Sequence, residues 1–115
     1  MPALPPSRKL AAGLMLLSGV THLSQLLVYS VKAADVIGAA LFGVLYLLLG
    51  TYLLTPKRAA LWLAVVWPAI GGSLAVLRIL TVRPNPFSLL HIAIDVVVIA
   101  LCVRLLAQRR PPLPA

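Results

Sequence analysis

Four apolar runs, each about twenty residues long and separated by a few polar ones, constrain this chain more than any other feature. They occupy residues 10–29, 36–54, 59–82 and 87–106. A helix needs about 20 apolar residues to cross a hydrocarbon core roughly 30 Å thick. Backbone polar groups in lipid must be satisfied within the segment, so runs of this kind become helices. Composition agrees: 62% of residues are hydrophobic and 10% are charged, where soluble domains carry about 25% charged residues. The fold read from the sequence is all-α and integral to a membrane, an up-down bundle of four transmembrane helices. It forms one membrane domain over residues 1–115, with flexible tails at 1–9 and 107–115. Short connections make sequential helices antiparallel neighbours.

The ten Lys and Arg against two Asp give a net charge of +8. The positives flank the apolar runs and no basic patch with interleaved aromatics is present, so no nucleic-acid partner is expected. The excess reads as a topology signal. Placing the N-terminus inside puts seven positives in the cytoplasm (Arg8, Lys9, Lys57, Arg58, Arg104, Arg109, Arg110) and three outside (Lys32, Arg78, Arg83). Both termini are therefore expected in the cytoplasm of a multi-pass protein of the cell (inner) membrane. A cleaved leader ending at Val31-Lys32-Ala33 is the weaker reading. The first run is as long as a true span, and His22 and Gln25 interrupt it. The lone Cys102 excludes an internal disulfide.

Polar residues inside the spans carry the functional signal, because ionisable groups at membrane depth are costly. In the first run Ser18, Thr21, His22 and Gln25 fall on one face at helical spacing. In the second, Ala39, Gly43, Tyr46 and Gly50 share a face whose small residues allow close helix packing, and Tyr46 needs a hydroxyl partner. Asp35 is placed to cap this helix. In the third, Ala64, Pro68, Gly71, Ala75 and Arg78 align, and Pro68 with Gly71-Gly72 should kink or loosen the helix. In the fourth, Ser88, His91, Asp95 and Cys102 align, with Asn85 or Ser88 as the cap.

At about 1.5 Å per residue, His22 and Asp95 lie roughly 10 Å below the outer surface, with Gln25, Arg78 and His91 roughly 5–6 Å down. The candidate ligand-binding residues are therefore His22, Gln25, Tyr46, Arg78, His91 and Asp95, gathered in the outer third of the membrane. Four uses of such a cluster are open. It can be an internal network that fixes helix register, with Asp95 paired to Arg78 or His91 and His22 to Gln25 or a backbone carbonyl. It can be a pocket for a small ligand or lipid, with Arg78 taking an anionic head. It can be a cofactor site, with His22 and His91 as axial ligands of haem b, or His22, His91 and Asp95 around a metal, in a subunit of a redox complex. It can also serve a proton-coupled small transporter.

No Walker loop, GxGxxG or HExxH is present, and no nucleophile–base–acid set stands out, so a non-enzymatic role is favoured. The leading expectation is a small polytopic protein that binds a small ligand or lipid, or acts as an accessory subunit, through the outer-third cluster. A homo-oligomer or larger membrane complex is expected, since so small a bundle has little interior of its own.

Overall fold

A computed structural model describes residues 3–108. Four helices follow in order: α1 (Pro6–Val28), α2 (Ala34–Leu53), α3 (Arg58–Thr81) and α4 (Pro86–Ala107). Each is long and apolar enough to cross a membrane. Leu, Val and Ile side chains cover the outer surface, as in Leu27, Leu41, Leu80 and Val96, all largely exposed. This all-α four-helix bundle is the architecture of a small multi-pass membrane protein. The helices form a ring in which α1 meets α2 and α4, and α3 meets α4 and α2; the α2–α3 seam is the thinnest. The start of α1, the end of α4 and the α2–α3 turn lie at one end, called here the terminal end. The α1–α2 and α3–α4 connections lie at the other, the distal end.

Local chemistry explains the helix boundaries. Pro6 opens α1 where a missing N–H costs nothing. Asn85 caps α4 by accepting from the Ser88 N–H at 2.8 Å, and Pro86 fills the first helical position. The α1–α2 crossing is set by glycine. A Cβ on Gly19 would lie 2.8 Å from the Gly43 carbonyl oxygen, and one on Gly43 would lie 2.8 Å from both the Gly19 oxygen and His22 Cβ. Backbones this close gain packing and weak polar contacts without a hydrophobic drive. Gly13, also on α1, makes no such contact: nothing lies within 4 Å of its Cβ position.

Two expectations are corrected. The first helix begins at Pro6, so Arg8 belongs to a helix and not to an irregular tail. Its guanidinium is buried at the terminal end and donates to the carbonyls of Leu53, Thr55 and Lys57, closing the C-terminus of α2. A cation at a helix C-terminus satisfies orphan carbonyls and suits the helix dipole. Asp35 does not cap α2: Ala33 holds the cap position and no side-chain cap bond forms. Its carboxylate is drawn instead to two arginines on the far side of the seam. The helix α3 runs unbroken through Pro68 and Gly71-Gly72, and Gly71 has a further use, described below. The expected tail at 107–115 lies, beyond Gln108, outside the described residues.

The core is divided by depth. At the terminal end it is apolar and close-packed: Ala11, Ala12, Met15, Leu53, Ala60, Ala64, Val98 and Cys102 are all buried. At the distal end polar residues are buried as well, Ser18, His22, Gln25, Ser88, His91 and Asp95, beside the apolar Val36 and Ala40.

Candidate functional site

The six residues singled out from the sequence fall into two linked groups in the distal half. The first is built on Asp95 and Tyr46. The Tyr46 hydroxyl donates to Asp95 Oδ1 at 2.6 Å, joining α2 to α4 across the bundle. Both side chains are buried. The pair has room because α3 carries glycine opposite it. A Cβ on Gly71 would lie 2.5 Å from the Tyr46 hydroxyl, and one on Gly72 would lie 3.4 Å from Asp95 Oδ2. Gly71 is thus the seat this pair needs, and Gly72 borders it. Asp95 Oδ2 is buried with no partner among the described residues.

The Tyr46 ring stacks on His22 at 5.0 Å, and His22 stacks on His91 at 3.5 Å with planes 5° apart. Hydrogen bonds fix both imidazoles. His22 Nδ1–H donates to the Ser18 carbonyl at 2.7 Å, the contact expected of a helix-borne histidine whose nearest acceptor is one turn back. Thr21 Oγ1 can donate its single proton to the Leu17 or Ser18 carbonyl, each 3.0 Å away. With the proton so placed, it accepts from His91 Nε2–H, at 2.7 Å. In these tautomers His22 Nε2 and His91 Nδ1 each keep a lone pair.

The second group is ionic. Arg78 does not pair with Asp95, as one sequence reading had it. Arg78 Nε donates to Asp35 Oδ2 at 2.9 Å, and Arg83 Nη2 donates to the same oxygen at 2.7 Å. Arg78 Nη1 donates to Gln25 Oε1. The Tyr29 ring lies beneath both guanidiniums, 4.7 Å from that of Arg83 and 5.8 Å from that of Arg78. Asp35, Arg83 and Thr21 were not among the six. The charge count held the signal for the first two: Asp35 shares the distal end with two arginines and is the nearest acid in depth to both.

A cleft of about 270 Å³ joins the two groups. It lies in the thin α2–α3 seam. Its apolar walls come from Ala39 and Phe42 on α2 and from Gly71, Leu74 and Ala75 on α3. Arg78 and Asp35 stand at its distal end, and His22 and His91 form part of its wall. Phe42 stacks on Trp67 at 4.8 Å. The volume falls at the small end of the range of about 300–1,000 Å³ usual for ligand pockets.

The haem arrangement read from the sequence does not fit these residues. Axial ligands approach an iron from opposite sides of a macrocycle, whereas the two imidazoles here lie face to face at 3.5 Å with no space for a ring between them. Nor do His22, His91 and Asp95 converge on a point: among the described residues no group of three His, Cys, Asp or Glu is placed to hold a metal ion. No family model matches the chain, and no curated protein or solved structure matches it either.

Proposed function

We propose that this small membrane protein binds a small amphiphilic molecule in the α2–α3 cleft and carries no catalytic chemistry of its own. The observation that supports the reading is the cleft itself, which runs from the apolar walls of Phe42, Leu74 and Ala75 to a polar end at Arg78. Ligand sites combine those two properties, with a few convergent polar groups fixing orientation in a mainly apolar pocket. A network that served only to hold helices would close the seam around its hydrogen bonds, as α1 and α2 close around Gly19 and Gly43. With seven positives counted toward the terminal end and three toward the distal end, the cleft faces the outside. The protein then acts as a receptor or accessory unit for a molecule of the outer leaflet.

Trp67 reports on the cleft through its stack on Phe42, while Trp62 faces lipid and is 57% exposed. In a Trp62→Phe protein, a brominated single-chain alcohol quenches Trp67 in a saturable phase. Ala75→Phe fills the cleft and removes that phase. Quenching that rises linearly with probe, and is indifferent to Ala75→Phe, reflects partitioning into lipid and contradicts the proposal.

A further inference from the structure

The polar end of the cleft carries an imbalance that identifies its guest; this step rests on the binding role proposed above. Two guanidiniums, Arg78 and Arg83, share the single carboxylate oxygen Asp35 Oδ2. The cluster therefore holds one formal positive charge in excess. Its hydrogen bonds are unbalanced in the same direction. Arg78 Nη2, Gln25 Nε2 and Arg83 Nε are buried and have no acceptor among the described residues. All three are donors, and they belong to side chains already bonded to one another or to Asp35. The lone pairs on His22 and His91 carry no formal charge in the tautomers assigned above and do not offset the excess.

A buried donor left unpaired is expensive, and more so when it is charged. Oxygens of a carboxylate or phosphate answer both deficits at once. They bring lone pairs and negative charge, and their geometry matches the guanidinium fork. A neutral or cationic head supplies neither. Arg78 is also the arginine that lines the cleft, and its side chain is only 11% exposed, so water screens it poorly. Asp35 lines the same end and holds Arg78 through Nε. A second anion must compete with it or displace it toward Arg83, whose side chain is 36% exposed.

We infer that the guest of the cleft bears an anionic head, a carboxylate or a phosphate, which seats on Arg78, and that Asp35 competes with it for Arg78. The chain of the guest lies along Phe42, Leu74 and Ala75. The volume admits a single short chain or part of one, not a whole two-chain lipid.

The test compares brominated probes of one chain length bearing a carboxylate, a phosphate or an alcohol, read by Trp67 quenching in the Trp62→Phe protein. The two anionic probes saturate at about tenfold lower concentration than the alcohol. Arg78→Gln removes that advantage and leaves alcohol binding within about twofold, which also shows that the variant is folded. Asp35→Asn strengthens binding of the anionic probes by several-fold and leaves the alcohol unchanged. Acetate or inorganic phosphate that displaces the carboxylate probe marks a water-soluble anion as the natural source; failure to compete marks a lipid-borne one, and both rely on Arg78. Equal saturation by all three heads, or equal weakening of all three by Arg78→Gln, overturns the anionic assignment and leaves the cleft as a site. No saturable phase with any head overturns the binding role itself.

Discussion

The two halves of this bundle are built from the same four helices and solve the problem of a membrane interior differently. The terminal half is filled with Ala11, Ala12, Met15, Ala60, Ala64 and Val98, small or flexible side chains that mesh without polar atoms. Its charged groups, Arg8 and Arg58, stay at the end, where Arg8 closes the carbonyls of α2 and Arg58 donates to Leu106 of α4. The distal half buries Ser18, His22, Gln25, His91 and Asp95 and leaves a seam between α2 and α3. Without a hydrophobic drive between helices in lipid, stability comes from close packing and from satisfied polar contacts. The terminal half has the first. The distal half has the second only in part, since donors at Arg78 and Gln25 and an acceptor at Asp95 remain unmatched. Under the proposed binding role, this difference makes the terminal half the scaffold and the distal half the recognition end.

Met15 gives the strongest way to break that division. It is fully buried among Ala11, Leu53 and Val98 in the same core, and Met15→Ala should cost about 2–5 kcal/mol by opening a cavity. Thermal unfolding in detergent measures the loss, and Trp67 quenching on the remaining folded protein should be unchanged. A variant that keeps its stability but loses binding would reverse the assignment.

Tyr46 sits where the halves meet. Tyr46→Phe removes the donor to Asp95 Oδ1 and leaves the whole carboxyl group unpartnered, at a cost of about 1–3 kcal/mol. Asp95→Asn keeps an oxygen for the Tyr46 hydroxyl and should change stability by less than about 1 kcal/mol. Equal damage from both substitutions would mean that the hydrogen bond holds α2 to α4 only when its acceptor is the carboxyl group itself and not an amide oxygen. The smallest effect belongs to Thr21→Val, which deletes the hydroxyl that orients His91. About 0.6 kcal/mol is expected, the typical size of an interhelical hydrogen bond in a membrane protein. The histidine ring NMR signals should shift while the unfolding temperature barely moves.

Depth and helix face were legible in the sequence because apolar runs and angular spacing report them directly. Ser18, His22 and Gln25 lie buried on the face of α1 that their spacing marked, and Tyr46 found the partner it needed. Pairing was not legible. Several polar groups from different helices share the distal half, and which of them meet depends on helix rotation and side-chain reach. Gly71 seats the Tyr46–Asp95 pair against α3, and Arg78, nearer the distal end, reaches the opposite way to Asp35. Asp35 was read locally as a cap, because capping is the usual use of an acid at that position. Its two arginines lie 43 and 48 residues away in sequence. The start of α1 was missed for a related reason: Arg8 is polar, and its acceptors belong to the end of another helix.

The contrast between a closed half and an open one can be measured with thiols. Native Cys102 is fully buried in the terminal half. Ala75 lines the cleft, and Ser73, two residues away on α3, is exposed toward lipid. A small water-soluble thiol reagent, with products counted by intact mass, should leave wild-type protein and Ser73→Cys unmodified. It should add one label to Ala75→Cys, and the brominated carboxylate probe should protect that position. An Ala75→Cys protein as silent as Ser73→Cys, or a Cys102 that labels as readily as Ala75→Cys, would contradict an open distal cleft above a closed terminal core.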